Sequence, residues 1–312
     1  MGKESDVFDK LLSRGVSRRD FMKFSALMAA TLGLAPAMAP RIAEAVASAK
    51  RPTVIWLHFA ECTGCSEALL RSTYPWIDEL ILNILSIDYH ETIMAAAGHQ
   101  AEEALQASMK ANKGQYICVI EGGIPTKNNG TYGMIGGRTM LEIGKEVTAG
   151  ALATICIGSC SSFGGVQAAA PNPTGTKSVG EALGIKTINI AGCPPNPANF
   201  VAAVVHYLLL GKLPELDEVG RPLFAYSQTI HNNCPRRGHY EEGEYVQVFG
   251  DEGTMKEWCL LKMGCRGPDT FNNCSIQHFN DGTSWPIGAG APCIGCSEPA
   301  FWDKMAPFFV EK

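Results

Sequence analysis

Short apolar runs alternate with longer segments of helical periodicity between Pro52 and about Tyr207. The runs are continuous and rich in β-branched residues, which is typical of strands buried on both faces of a parallel sheet. Strands that alternate with helices in this way predict a doubly wound α/β fold. The predicted strands cover residues 53–59, 84–90, 116–123, 153–159 and 187–192.

Three of the intervening segments have the periodicity of helices. They cover residues 66–85, 136–151 and 196–212. Ser66 is a residue type that often caps a helix N-terminus, and a glycine such as Gly211 often ends a helix. We therefore expect helices to pack on both faces of the sheet.

The pattern changes after about Ala225. Residues 225–312 contain six cysteines and many Gly, Pro and Asn residues, but few periodic apolar runs. Such a segment buries too little apolar surface to be stable by itself, so cross-links must help to hold it together. We predict an α/β domain over 46–224 and a smaller, irregular domain over 225–312 that folds around inorganic cofactors.

The N-terminus has the composition of an export signal. Arg18 and Arg19 precede a mild Ala/Leu/Met run, and Ala43-Glu44-Ala45 offers a cleavage site of small residues. The paired arginines indicate the twin-arginine type, so residues 1–45 are predicted to be removed and the mature chain to be periplasmic. Because that route carries folded proteins, a cofactor inserted in the reducing cytosol would travel with the chain.

Composition and charge exclude several functions. The chain has 312 residues, of which 46% are hydrophobic, so it is long enough to bury a substantial core. Its net charge of −5 gives no basic surface for nucleic acid. No G-x-G-x-x-G motif follows the first predicted strand, so a dinucleotide is not indicated. No later stretch is apolar enough for a transmembrane helix, and we expect the mature chain to be soluble.

Twelve cysteines are unusually many for a chain of this size. Cys62 and Cys65, in "ECTGCSE", follow the first predicted strand, and a C-x-x-C loop fits a redox dithiol, half a zinc site, a disulfide or half an iron–sulfur site. Cys160 and Cys193 follow two other predicted strands. Because the loops at the carboxyl ends of parallel strands meet at one edge, we expect these four thiols to lie together.

The remaining cysteines narrow the choice of chemistry. Cys118 and Cys156 lie inside predicted strands, so we interpret them as buried thiols without a ligand role. Zinc sites favour paired C-x-x-C motifs, whereas this chain has one such motif in each predicted domain. Several iron–sulfur clusters, which accept ligands from scattered loops, account for more of the cysteines. A secreted module held by six disulfides is the alternative, and spacing alone does not divide the C-terminal ligands between sites.

A series of motifs occurs along the chain in the same order as in a known protein family. From residue 52 to residue 304, and in the signal, the chain resembles the small subunit of periplasmic NiFe uptake hydrogenases. The motifs are "RRDFMK", "ECTGCSE", "DYHETIMAAAG", "GSCSSFGGVQAAAPNPTG", "GCPPNP", "IHNNCPRRGHY", "WCLLKMGCRGP", "NNC" and "PCIGCSEPAFWD".

This resemblance implies a flavodoxin-like domain, a cluster-binding domain and no catalytic residue in this chain. By motif, the proximal 4Fe–4S cluster is expected on Cys62, Cys65, Cys160 and Cys193. The distal 4Fe–4S cluster is expected on His231, Cys234, Cys259 and Cys265. The medial 3Fe–4S cluster is expected on Cys274, Cys293 and Cys296.

The resemblance also implies that this polypeptide is the electron-transfer half of a heterodimer. The large subunit would cleave hydrogen at nickel, and electrons would pass along the three clusters to a periplasmic multihaem c-type cytochrome. The large subunit is expected to cover an apolar patch around "ECTGCSE" and "GCPPNP", and Arg236 and Arg237 suit docking of a redox partner.

The resemblance distinguishes a subtype and one alternative. Gly64 and Gly165 stand where oxygen-tolerant members carry additional cysteines, so we expect the standard oxygen-sensitive type. The alternative is an iron–sulfur subunit of another redox complex, such as a quinone-reducing one, which shares the α/β core. Such subunits usually lack the cysteine-rich C-terminal domain.

Overall fold

The computed structural model describes residues 17–48, 51–72, 77, 80, 84–280 and 282–311. Residues 1–16 of the predicted signal lie outside the described residues, as does most of 73–83 in the first predicted helix. The described part contains the whole of the predicted sheet and all twelve cysteines.

Five parallel strands form the central sheet, in the order β2-β1-β3-β6-β7. This is the flavodoxin-like order, so the predicted doubly wound fold is confirmed. Thr53, Ile117, Ala153 and Ile188 begin four of these strands, each within a predicted run. An antiparallel pair, β4 with β5, lies outside the sheet. The strands are β1 Thr53–His58, β2 Ser86–His90, β3 Ile117–Glu121, β4 Met134–Ile135, β5 Arg138–Thr139, β6 Ala153–Ile157 and β7 Ile188–Ile190.

Helices connect the strands and cover the sheet. α5 and α8 lie within predicted segments, whereas α4, which packs beside β2, was not predicted. The helices are α1 Arg18–Thr31, α2 Ala39–Ser48, α3 Gly64–Leu70, α4 His99–Ala111, α5 Met140–Ala149, α6 Gly158–Phe163, α7 Val179–Leu183, α8 Pro197–Leu210, α9 Leu223–Tyr226, α10 Arg237–Glu242, α11 Glu252–Met255, α12 Cys274–Gln277 and α13 Phe301–Lys304.

Alternate residues of each strand point to opposite faces, and this gives the sheet two apolar layers. Val54 and Trp56 of β1 belong to the layer that contains α8, together with α1 and α2. Ile55 and Leu57 belong to the layer that contains α4 and α5. Both layers are needed to bury a parallel sheet, because its strands are apolar on both sides.

The first helix after β1 begins differently from the prediction. α3 starts at Gly64, with Thr63 in the left-handed conformation before it, so Ser66 lies inside the helix rather than at its cap. The predicted cap is wrong because a carboxylate from a neighbouring strand takes over its task. Glu121 accepts hydrogen bonds from the backbone N–H groups of Cys65 (2.9 Å) and Ser66 (3.1 Å).

The C-terminal region has little regular structure. Over 225–280 and 282–311, where the chain is described, the helices span six residues or fewer and strand pairing is limited to isolated bridges. Its small apolar core includes Trp285 and Ile287, and two of its buried members are cysteines, Cys274 and Cys293. The irregular character expected from the sequence is therefore present.

The predicted signal segment is folded against the rest of the molecule. α1 and α2 pack on each other and on α8. Phe24, Met28 and Ile42 are fully buried there. Throughout the described part of the chain, no helix combines the length and the apolar character that crossing a bilayer requires.

Candidate metal centres

Four cysteines meet at the carboxyl edge of the sheet, as the strand positions predicted. Cys62 and Cys65 lie at the start of α3 after β1, Cys160 lies in α6 after β6, and Cys193 follows β7. The Cys65 thiol is close enough to the other three for their charges to affect its pKa. We call these four residues the sheet-edge group.

Burial makes two members of this group, Cys65 and Cys160, unfavourable as free thiolates. Loss of solvation, followed by the charge of Glu121 and of the other thiols, raises the pKa of Cys65 well above its ordinary value. Burial also raises the pKa of Cys160 to about 11. Four thiolates can share this space only when positive charge compensates them, which is what a bound iron cluster provides.

Glycines leave room around two of these sulfur atoms. A β-carbon at Gly158 would lie 2.5 Å from the Cys65 Sγ, and one at Gly165 would lie 2.5 Å from the Cys160 Sγ. Both glycines have positive φ angles, of 88° and 78°, which other residues rarely adopt. The backbone beside the sheet-edge group is thus kept free of side chains, as a bulky sulfur-bound group requires.

A buried polar network that the sequence did not reveal supports this group. Glu121, which is 1% exposed, accepts a hydrogen bond from the Ser66 hydroxyl at 2.6 Å in addition to its two backbone bonds. His58 lies 3.2 Å from Glu61 and 3.3 Å from His90. Burial, followed by the charge of the neighbouring His58, lowers the pKa of His90 to about 4, so the His90 imidazole is neutral.

Three further cysteines lie deep between the two regions. The thiols of Cys293 and Cys296 both affect the pKa of Cys274, which burial raises well above its ordinary value. The backbone N–H of Gly295 donates to the Cys293 Sγ at 3.4 Å. We call Cys274, Cys293 and Cys296 the middle group.

The last four predicted ligands line one small cavity together with Leu260 and Ile287. The His231 ring packs edge-on against Tyr240, with ring centroids 4.7 Å apart. Burial, followed by the charge of Arg237, lowers the pKa of His231, which favours the neutral imidazole that binds metals. We call this set the histidine group; it consists of His231, Cys234, Cys259 and Cys265.

The three groups lie next to one another in a row. The Cys193 backbone lies close enough to the Cys296 thiol to lower its pKa, so the sheet-edge group adjoins the middle group. The Cys293 backbone lies close enough to the Cys265 thiol to lower its pKa, so the middle group adjoins the histidine group. Ser159 reinforces the first junction, because its hydroxyl donates to the Cys296 carbonyl and accepts from the Gly192 N–H at 3.0 Å.

The two cysteines left out of these groups lie elsewhere. Cys118 and Cys156 are fully buried in β3 and β6, on the face covered by α4 and α5. Burial raises the pKa of Cys156 to about 12, so it is an apolar thiol. All twelve cysteines lie in the described part of the chain, and none is in a disulfide.

The two arginines beside the histidine group differ in their surroundings. Arg236 is 8% exposed and donates to the Trp258 carbonyl at 3.0 Å. Arg237 is exposed and pairs with Glu241 at 3.0 Å. Of the two residues suggested for docking, only Arg237 is therefore presented to solvent.

Known proteins are similar in sequence to this chain over almost its whole length. The family model for the C-terminal part of the NiFe/NiFeSe hydrogenase small subunit matches residues 226–309. The periplasmic [NiFe] hydrogenase small subunit of Solidesulfovibrio fructosivorans is 54% identical over 306 residues, which is 98% of this chain and 96% of that protein. The chain belongs to the NiFe hydrogenase small-subunit family. In this family the chain accompanies a large subunit, which carries the hydrogen chemistry.

Two further relatives agree with this assignment. The quinone-reactive Ni/Fe-hydrogenase small chain of Wolinella succinogenes is 51% identical and covers 96% of this chain and 85% of its own. A crystal structure of the Ni-Fe-Se hydrogenase from Desulfomicrobium baculatum matches with a TM-score of 0.79 and 35% identity, over 84% of this chain and all of that chain.

The α/β region also has a wider relationship. The family model of the NADH ubiquinone oxidoreductase 20 Kd subunit matches residues 62–207. That match ends before the cysteine-rich region, whereas the hydrogenase relatives extend through it. The similarity to subunits of another redox complex is therefore limited to the α/β core, and the cysteine-rich region is shared with the hydrogenase relatives.

Proposed function

We propose that this chain is the electron-transfer subunit of a heterodimeric NiFe hydrogenase, which exchanges electrons with the H2/H⁺ couple through its large subunit. In this proposal the sheet-edge group holds the proximal 4Fe–4S cluster, the middle group the medial 3Fe–4S cluster and the histidine group the distal 4Fe–4S cluster. When bound, these clusters supply sites that accept and release one electron at a time.

The observation that carries the proposal is the row of three groups. Cys193 lies close enough to Cys296, and Cys293 close enough to Cys265, to affect the pKa of the neighbouring thiol, so neighbouring groups adjoin through single residues. Electron tunnelling falls steeply with distance, and adjoining groups keep each transfer short. Isolated structural sites, such as zinc sites, would have no need of this arrangement.

The side chains of this protein position the ligands and modify their charge. Glu121 fixes the backbone of Cys65 from β3, so the C-x-x-C loop cannot move independently of the sheet. Backbone N–H groups donate to the sulfur atoms of Cys265 and Cys293, both at 3.4 Å. Such bonds withdraw negative charge from sulfur, and with burial they set the reduction potential.

The geometry around the sheet-edge group supports the oxygen-sensitive type. A β-carbon at Gly64 would lie 3.1 Å from the Cys62 Sγ, and one at Gly165 would lie 2.5 Å from the Cys160 Sγ. Extra cysteines at these positions would require the loops to shift. The four native thiols suit an ordinary cubane cluster.

The proposed acceptor is a periplasmic multihaem c-type cytochrome at the histidine group. Tyr240, which is 38% exposed, packs edge-on against the ring of the partly exposed His231, so two aromatic rings lie together near the surface of this group. Export by the twin-arginine route, indicated by Arg18 and Arg19, would place the complex in the compartment of such cytochromes.

A pair of cysteine variants tests the ligand assignment. Cys274 and Cys156 are both buried, but only Cys274 belongs to the middle group. In the native heterodimer, we expect about eleven iron atoms in this subunit, besides the iron of the partner's own centre. Cys274→Ala should lose at least about three of them, together with the paramagnetic signal of an oxidised three-iron cluster.

The matched variant Cys156→Ala should keep the iron content, the signal and hydrogen-dependent dye reduction. It removes a buried thiol of equal size and so controls for the loss of packing. Full iron content in Cys274→Ala, or an equal loss of iron in both variants, would contradict the assignment.

A further inference from the structure

The predicted signal segment occupies a defined place in the fold. Phe21 and Phe24 of α1 are 4% and 1% exposed, and Ile42 and Val46 of α2 are 0% and 2% exposed. The Gln277 side chain also donates to the Thr31 hydroxyl at 2.6 Å, which ties the end of α1 to the C-terminal region. We call α1 and α2 together the leader.

The leader covers a helix that is largely buried and largely apolar. Residues 199–205 of α8 are buried without interruption, although a surface helix would expose one side. One side of α8 packs on the sheet and another packs on α1 and α2. Removal of the leader would leave contiguous apolar surface on α8, which a soluble protein does not keep uncovered.

This surface continues to the rim of the sheet-edge group. A groove beside the leader is lined by Lys23 and Leu27 of α1, by Gly64 and Glu67 of α3, and by Pro194. The large subunit must approach this rim, because electrons from its metal centre enter the chain at the sheet-edge group. A partner seated here would meet α1.

We propose that the large subunit docks on the α8 face that the leader covers, so that docking displaces the leader. The inference rests on the proposed function, since it requires a large subunit that delivers electrons to the sheet-edge group. Before assembly the leader shields an apolar face, and after assembly the large subunit shields it.

Displacement of the leader would also make the twin-arginine segment accessible to the export machinery. Phe21, two residues after the arginine pair, has its side chain in the core. The Ser17 hydroxyl donates to the Asp20 carboxylate and accepts from the Asp20 backbone N–H at 3.1 Å. A receptor that reads this segment in extended form would therefore bind it only after release from α8. Two ligands that compete for one face are negatively coupled, so binding of the large subunit makes the arginine segment available.

The experiment compares two neighbouring alanines of α1. Ala29 is 1% exposed, whereas Ala30 is exposed, so Ala29→Asp places a charge in the leader contact and Ala30→Asp places it in water. Both variants carry the same charge at the same end of the helix. Hydrogen exchange of residues 18–48 would be measured on the full chain with its clusters, alone and after addition of the large subunit.

In the wild type and in Ala30→Asp, we expect protection of the α1 amides to fall at least about tenfold when the large subunit binds. Ala29→Asp should show no protection in either state, and it should bind the large subunit about tenfold more tightly, because no leader has to be displaced. The chain without residues 1–48 should match Ala29→Asp in affinity, which controls for misfolding of the variant.

Two results would overturn the inference. One is an α1 that stays protected in the heterodimer, and the other is an affinity for the large subunit that is the same in Ala29→Asp, Ala30→Asp and the chain without residues 1–48. Hydrogen-dependent dye reduction by the same heterodimer separates the two proposals. If the heterodimer reduces the dye while its leader stays protected, only this inference is refuted. If the heterodimer does not reduce the dye, the proposed function is refuted.

Discussion

The α/β region and the cysteine-rich region position similar sets of proposed cluster ligands by different means. In the first region, five paired strands place the loops that carry Cys62, Cys65, Cys160 and Cys193. In the second, described over 225–280 and 282–311, short helices and isolated bridges take the place of a sheet. The sheet positions the first set of proposed ligands. The second set lies in a region with so little regular structure that the ligands themselves help to hold it together.

The cost of ordering the backbone explains the difference. Fixing each residue costs about 1–2 kcal/mol of conformational entropy, which apolar burial must offset. The α/β region has two large apolar layers. The core of the C-terminal region is small, and Cys274 and Cys293 are among its buried members. Binding free energy at such a site becomes folding free energy.

Iron removal should therefore have the largest effect on stability, and it should unfold the C-terminal region while leaving the α/β region folded. After anaerobic chelation of the native chain, amides over 225–311 should lose nearly all their protection from hydrogen exchange. Amides of β1, β3 and β6 should keep most of theirs, because their pairing does not depend on the ligands. Equal loss in both regions would remove the distinction between them.

Arg221 is one of the residues that join the two regions, and its loss should have the next largest effect. Arg221 is 5% exposed and donates to Asp217 at 2.8 Å, to the Ser297 carbonyl at 2.9 Å and to Glu298 at 2.8 Å. Arg221→Met leaves two carboxylates without their cation, which should destabilise the chain by about 3–5 kcal/mol.

Arg71→Met is the control for this variant. Arg71 and Glu67 form an ion pair at 2.7 Å, but their side chains are 64% and 56% exposed. We expect a change below about 0.5 kcal/mol from this pair. Thermal unfolding of both variants measures the contrast, and similar shifts would show that Arg221 does not secure the junction.

The smallest expected effect concerns pH and the α/β region alone. The pKa of His90 is about 4 in the folded chain because burial, and then His58, disfavours its charged form. The unfolded chain binds this proton near pH 6.5, so stability present above that value is lost as pH falls toward 4. Between pH 7 and pH 5 the loss should be about 2 kcal/mol.

Hydrogen exchange of the β1 and β3 amides at several pH values reports this change without interference from the C-terminal region. His90→Gln keeps a polar side chain but does not titrate, and it should remove most of the pH dependence. An unchanged slope in His90→Gln would assign the effect to another group.

The sequence predicted the sheet and the sheet-edge group well, for a physical reason. Strands buried on both faces are continuous apolar runs, and the cysteines that follow them must converge at one edge. The sequence did not reveal the role of Glu121. A carboxylate at the end of an apolar strand gives no sign that it will cap a helix that follows a different strand, as Glu121 of β3 does for α3.

Local patterns also failed where distant contacts decide the structure. The assignment of the C-terminal ligands to two separate clusters came only from family motifs. Irregular loops have no repeating pattern that would predict where Cys265 or Cys274 lies in space. The folded leader was not foreseen either. Its weak apolar run fits an export signal, whereas its packing depends on the apolar side of α8.

Ser159 has a consequence for the speed of the proposed relay. Its hydroxyl lies between the Gly192 amide and the Cys296 carbonyl, so one oxygen atom spaces two loops that carry proposed cluster ligands. Tunnelling probability decays exponentially with the gap that separates donor from acceptor. A small residue remote from any bond rearrangement thereby acts as a spacer that governs how fast charge crosses from one half of the molecule to the other.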